Sequence, residues 1–180
     1  MHRLHHAFSD TEDDPHSPAT SKNLFDMMWK TKKRYSDIMY DKARDIDPVF
    51  YKNVPVWNVS DHFFDSWPVR ILFAALYTSF YVFFAPNPWW FLLLPVHFFI
   101  GPVHGAIINW FAHKYGYVNF KLDNTSKNLL PVDFLMLGES YHNNHHKYPG
   151  RSNFGIKWHE LDPVYPVILL LQKVKVVKSP

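Results

Sequence analysis

Residues 67–111 read WPVRILFAALYTSFYVFFA (67–85), PNP (86–88) and WWFLLLPVHFFIGPVHGAIINWF (89–111). The first run carries one charge, Arg70, close to its start. As a helix rising 1.5 Å per residue it spans ~28 Å, close to the hydrocarbon thickness of a bilayer. Pro-Asn-Pro makes a tight turn, and the second run has no formal charge at all. Together the two runs predict a transmembrane hairpin. The competing reading, two buried helices of a soluble α-protein, asks for longer uncharged helices than soluble cores use. Lys and Arg cluster before the hairpin (Lys30 to Arg34, Arg44, Lys52) and after it (Lys114, Lys121), while the turn has none. The positive-inside rule therefore places both outer ends in the cytoplasm.

The rest of the composition agrees with a mixed chain. Of 180 residues, 47% are hydrophobic and 18% aromatic, a weight of Trp, Tyr and Phe that suits lipid–water boundaries. Mean hydropathy is nevertheless slightly negative, so polar blocks must flank the apolar ones. There is no cysteine, which excludes disulfides, thiolate metal sites and iron–sulfur ligation. A net charge of +3 suits a membrane surface or anionic substrates. Nothing in the pattern points to nucleic acid.

Moving outward, SDTEDDPHSPATS (9–21) is a loop by composition. Residues 22–44 have apolar positions Leu24, Phe25, Met28 and Trp29 at helical spacing, with the basic run from Lys30 to Arg34 on the other side. DPVFYKNVPVW (47–57) is broken by two prolines and should run across a surface. NLLPVDFLMLGESYHNNHHKYPG (128–150) is expected to be helical up to its Tyr-Pro-Gly stop. The tail YPVILLLQKVKVVKSP (165–180) reads as an interfacial helix with lysines toward headgroups, too short for a third span. The expected organisation is one domain over 1–180. It has a cytoplasmic segment at 1–66, spans at 67–85 and 89–111, and a second cytoplasmic segment at 112–180.

Half of the twelve histidines lie in two stretches of identical spacing, HRLHH (His2, His5, His6) and HNNHH (His142, His145, His146). Positions i, i+3 and i+4 share a helix face, so each stretch aims three imidazoles at one point. Two such stretches on one side of a membrane call for a shared metal. His113 falls at the cytoplasmic end of the second span, with Asn109 one helical turn earlier. A membrane-edge histidine is a functional hypothesis in itself. His97 reads as structural, and His104 fits either role. Seven imidazoles exceed one tetrahedral zinc and suggest two metal ions. Imidazole suits Zn, Cu, Fe and Ni alike, so spacing does not name the metal.

The stretches HRLHH…DTEDDPHSP, NWFAHKYGY and GESYHNNHH resemble the histidine boxes of the membrane-bound fatty acid desaturases, of the stearoyl-CoA (delta-9) type. The likeness runs from residue 2 to about 163 in the family's order and spacing. It implies an all-α integral membrane fold with a transmembrane hairpin and a cytoplasmic helical cap carrying the boxes. It implies two iron ions, O2 as co-substrate, and an oxidoreductase that leaves a cis double bond in a saturated acyl chain. By the resemblance, His2, His5 and His6 form the second box and His142, His145 and His146 the third. His113 matches a ligand at a helix end, and Asn109 a residue that holds a water on one iron. Trp29, Lys32 and Lys33 sit where the family places basic residues near the phosphates of coenzyme A, and Trp110 where the acyl tunnel is lined. Asp14 and His16 match a loop with a structural hydrogen-bonding role, and Trp158 and His159 a pair without assigned chemistry.

The resemblance also implies partners: membrane lipid, a fatty acyl-CoA or acyl-lipid substrate, and an electron donor such as ferredoxin or cytochrome b5. A bacterial cytoplasmic membrane is preferred over the endoplasmic reticulum. The family's first box, His-x4-His, has no match in the chain, so the sequence is expected to be the C-terminal part of a longer protein. Two alternatives stand beside desaturation: a membrane hydroxylase of the same superfamily, and a metal-binding remnant without turnover. A zinc hydrolase would need His-Glu-x-x-His, which is absent.

Overall fold

The computed structural model describes residues 1–178; the last two residues of the expected interfacial tail, Ser179 and Pro180, lie outside the described residues. Among the described residues the fold is helical and has no β-strand, only two isolated bridges that join Asn128 to Tyr117 and Tyr141. The chain forms two compact units, one from residues 1–34 with 104–180, the other from residues 35–103.

In the first of these units, α1 (His2–Phe8) leads into the 9–21 loop, and α2 begins at Leu24 and runs to Met39 across the boundary between the units.

The 35–103 unit holds the hairpin up to Val103, and the helix of its second arm continues past that boundary. Helix α3 covers Asn58–Asp65 and α4 covers Trp67–Phe84, with Pro68 in the first turn, where its missing N–H costs nothing. After the Pro-Asn-Pro turn, a 3-10 turn (Pro88–Leu93) runs into α5 (Leu94–Ala106), and Asn87 Oδ1 accepts from Trp89 N at 3.1 Å to start it. Two helical runs, Trp67–Phe84 and Pro88–Phe111, are long and apolar enough to cross a membrane. Few of their residues are buried, and Leu72, Phe80, Phe83 and Ile100 among others face outward. That pattern suits lipid and not a soluble core. Between the two arms, Tyr81 Oη pairs with His97 Nε2 at 2.7 Å, and Tyr77 stacks on the same ring. His97 is thereby a structural partner within the hairpin. At the start of α4, Asp65 accepts from Tyr40 Oη at 3.0 Å and pairs with Arg70, which ties α3 to α4. An open apolar groove lined by Val56, Trp57, Val59, Phe63 and Phe64 also belongs to this unit.

Beyond α5 the helix widens into a π turn, Ile107–Phe111, where Ala112 N reaches both Ile107 O (3.4 Å) and Ile108 O (3.2 Å). Two short helices complete the described chain, α6 (His142–Lys147) and α7 (Tyr165–Lys173).

The segment 128–141 differs from expectation. It is not helical: within 128–150 only His142–Lys147 coils. Pro131 disfavours a helical residue before it, and Leu137 (φ 57°) and Gly138 (φ 93°) turn the chain left-handed. The buried Asp133 carboxylate then gathers the N–H groups of Met136 (2.7 Å), Gly138 (2.9 Å) and Ser140 (3.0 Å), which a helix would have used. The apolar run imitates a helix in its hydropathy, while a turn-building aspartate inside it decides otherwise. Gly116 is a second turn position. At φ 116° it lies where L side chains are strained, and a Cβ would stand 2.1 Å from Asn128 O.

Candidate metal centre

Helix α6 is only six residues long, too short to hold itself together. It is stabilised from outside. Asn128, wholly buried, accepts from Asn143 N (3.0 Å) and Asn144 N (3.2 Å), supplying the cap that Tyr141 does not. Asn143 Oδ1 takes the N–H groups of Asn119 and Phe120 at 3.0 and 2.8 Å. Asn144 Nδ2 donates to Glu160 Oε2 at 2.9 Å and to Phe154 O at 2.8 Å. The two asparagines between the box histidines are thus the frame, and the histidines on the other side are free to converge. Sequence spacing flagged the histidines but not this frame, whose partners lie between residues 119 and 160.

The convergence mixes the boxes. His5, His113, His142 and His146 bring one ring nitrogen each to a common point, with Nε2–Nε2 separations of 3.1 Å (His5–His146), 3.0 Å (His113–His142) and 3.0 Å (His142–His146). His2, His6 and His145 make a second group, a triangle of Nε2 atoms with sides of 3.1, 2.8 and 3.0 Å. All seven histidines singled out by spacing fall in one or other cluster. His104 falls in neither, and His16 joins a third buried group with His5 and Asp14.

Burial holds most of these rings neutral. His6 is pushed down to about 4 and His145 to about 3, in each case by burial first and neighbouring imidazoles second. His2, His142 and His146 are lowered for the same reasons. Neutral imidazole is the ligand form. Three neutral rings cannot satisfy a triangle of Nε2 atoms by hydrogen bonds alone, because lone pairs would face one another. A cation resolves the conflict. Two nitrogens bound to one ion at ~2.1 Å would stand about 3.0 to 3.4 Å apart, so rings this close could share a metal. With no sulfur or carboxylate in the sevenfold donor set, the residues fit an imidazole-bound metal ion, iron among them.

Asp14, expected in a structural hydrogen-bonding role, accepts from His5 Nδ1 at 2.9 and 3.0 Å and from the N–H groups of Asp10 and His16 at 2.9 and 3.0 Å. Burial works to raise its carboxyl, and the bonds from His5 and the backbone outweigh it, leaving it lowered. Asp10, which sequence reasoning missed, lies 3.4 Å from His113 Nδ1. Its φ of 64° is a conformation Asp tolerates, and an aspartate in a loop carries little other local signal.

The other expected site residues are less gathered. Asn109 sits inside the π turn and donates from Nδ2 to Gly105 O at 2.9 Å. Lys114 Nζ lies 3.6 Å above the Trp110 ring, which is half-buried. Trp29 is exposed with Lys32 Nζ 5.2 Å from its ring, and Lys33 is exposed beside them. Trp158 is 92% exposed and meets His159 edge-on.

Comparison with known proteins gives a consistent set. A family model described as fatty acid desaturase matches residues 1–172. The chain is 28% identical over 183 residues to a Synechocystis protein named sn-1 stearoyl-lipid 9-desaturase, covering 99% of this chain and 53% of that one. It is 32% identical over 188 residues to a Nostoc protein named sn-2 palmitoyl-lipid 9-desaturase, covering 99% and 62%. An Arabidopsis thaliana relative named Delta-9 desaturase-like 4 protein is 25% identical over 177 residues, covering 96% and 55%. The chain spans about half the length of the curated relatives it matches. No solved structure gives a significant match.

Proposed function

Since the chain belongs to the fatty acid desaturase family, we propose that its two histidine clusters hold the iron pair of an O2-dependent acyl desaturase that places a cis double bond at the delta-9 position of a saturated chain. The observation that carries this reading is the convergence of seven imidazoles, drawn from three separate segments, into two groups with metal-like nitrogen spacing.

His5, His113, His142 and His146 would hold one iron and His2, His6 and His145 would contribute to the other, with Asn109 holding a water on one of them through its carboxamide oxygen. When bound, the irons supply the oxidising power that removes two hydrogens from adjacent methylenes while O2 takes two electrons and two further protons to become two waters. The protein's own part is preparation. Burial of His5, His113 and His142 keeps water from competing for their nitrogens, and the carboxylate of Asp14 holds the His5 ring in one orientation and tautomer.

The substrate carrier we assign is a glycerolipid in place of the coenzyme A that the sequence resemblance suggested, because the Synechocystis and Nostoc relatives carry acyl-lipid names. The exposed Trp29, Lys32 and Lys33 face would meet its polar head group, and Trp110 the acyl chain. The charge distribution around the hairpin supports a cytoplasmic placement of the clusters. A bacterial membrane and a donor of the ferredoxin or cytochrome b5 class complete the reading.

The test is expression in a bacterial host without delta-9 activity, followed by iron analysis of the purified protein and mass spectrometry of the lipids. Iron abolished or halved by His142→Ala, with delta-9 monoenes on glycerolipid, supports the reading. A hydroxylated chain would assign the hydroxylase chemistry of the same superfamily. Bound iron with no O2-dependent product would leave a metal-binding protein.

A further inference from the structure

The ring nitrogens that point away from the two clusters are held very differently. Behind the four-imidazole cluster, His5 Nδ1 meets Asp14 at 2.9 and 3.0 Å, and both side chains are fully shielded from solvent. His113 Nδ1 lies 3.4 Å from Asp10 Oδ1 and 3.1 Å from Thr125 Oγ1. The carboxylates are themselves fixed. Asp10 accepts from Ser17 Oγ (2.7 Å), Thr125 N (2.6 Å) and Thr125 Oγ1 (2.8 Å), and Asp14 accepts two backbone N–H groups. Behind the three-imidazole cluster, among the described residues, no carboxylate bonds a ring nitrogen of His2, His6 or His145. His145 Nδ1 is buried without a partner, as is His142 Nδ1 behind the four-imidazole cluster, and His2 is exposed.

We infer that the two clusters are unequal metal sites: the four-imidazole cluster, with Asp10 and Asp14 as positioning residues, is the tight site that fills first, and the three-imidazole cluster fills second and exchanges. The inference rests on the reading of the clusters as metal sites and adds an order and two residues to it. Its physical content is simple. A carboxylate on Nδ1 keeps the proton there, turns a bare Nε2 lone pair toward the metal, locks the ring and makes it a stronger donor. The first cluster has one ring so bonded (His5), a second with a carboxylate 3.4 Å from its Nδ1 (His113), one more imidazole and less water. The second has none of these advantages.

The experiment is a Co2+ titration of the metal-free chain in detergent micelles, followed by visible absorption and by release to a chelator. Wild type should fill in two phases, with His142→Ala removing the first and His2→Ala only the second. Asp14→Asn and Asp10→Asn should each weaken the first phase by roughly 10- to 100-fold and shift its absorption band, leaving the second midpoint in place. Asp14→Glu, which restores a carboxylate, should recover part of the loss, although Asn is the better match in shape. A single phase in wild type overturns the inference. So does an unchanged first phase in both Asn variants, or equal weakening of the two phases together with a lowered thermal midpoint. Failure of the wild-type chain to take up any Co2+ would instead sink the metal-site reading, and the inference with it.

Discussion

Glu160 shows how a single side chain can support a site it does not touch. It is buried and accepts from Tyr117 Oη (2.7 Å), Asn119 Nδ2 (2.7 Å), Asn144 Nδ2 (2.9 Å) and the N–H groups of Ile156 and Lys157 (2.8 and 2.9 Å). Burial alone would raise its carboxyl, but these donors outweigh it and bring it to about 2. The folded value lies below the ordinary 4.5, so the unfolded chain binds the proton more readily. The stabilisation is therefore complete above pH 4.5 and is lost as pH falls toward 2. Glu160→Gln should cost about 2 kcal/mol at neutral pH and flatten the acid limb over that window, as read by denaturant unfolding in detergent at several pH values. Nothing near Glu160 in the sequence announces this role. Its side-chain donors come from residues 117, 119 and 144, and only folding brings them together.

At the scale of elements, the π turn at Ile107–Phe111 is the piece that periodicity could not reveal. Simple helical counting places Asn109 and His113 on one face, which assumes 3.6 residues per turn throughout. The wider turn changes that register, and Asn109 returns its amide to Gly105 O. Extra-residue turns of this kind are frequent at functional sites, where they re-aim the side chains on their C-terminal side. Deleting Ile107 should restore a regular helix and rotate His113 by about 100°. The expected result is loss of one bound metal per chain with helix content unchanged, read by elemental analysis and circular dichroism. Retention of full metal would mean that His113 is placed by the Thr125 and Asp10 contacts alone.

At the scale of the molecule, the legible parts are those governed by one local rule. Uncharged length marks the hairpin, realised as α4 and the run from Pro88 to Phe111. Repeated i, i+3, i+4 spacing, with a histidine at a span's end, marks all seven cluster histidines. The hidden parts depend on long-range partners. The sorting of imidazoles into a group of four and a group of three cuts across both boxes, since His5 leaves its neighbours His2 and His6, and His145 leaves His142 and His146. Neighbours on one helix face can point at two different centres when a second helix packs against them, and neither stretch encodes that packing by itself. The helical expectation for 128–141 fails for a related reason: the Asp133 turn competes with a helix through bonds that hydropathy does not record.

His5 meets His146 across 141 positions of chain, and His6 meets His145 across 139, a separation that bears on how the protein is made. Helix α1 has seven residues and buries only Leu4 and His5, too little to persist by itself. It leaves the ribosome before α6 exists, and so it waits unstructured until residues 142–147 follow. On the proposed reading, an ion bound between the two helices would act afterwards as a cross-link that closes this very long loop, where tying the ends removes the most entropy from the loose chain. Metal removal should accordingly expose the 9–21 loop to limited proteolysis ahead of any other loss of structure. Nascent chains stalled before His142 should retain no metal. On the proposed reading, metal can join the two clusters only once α6 has followed α1 out of the ribosome, which makes loading a check that the later helix is in place.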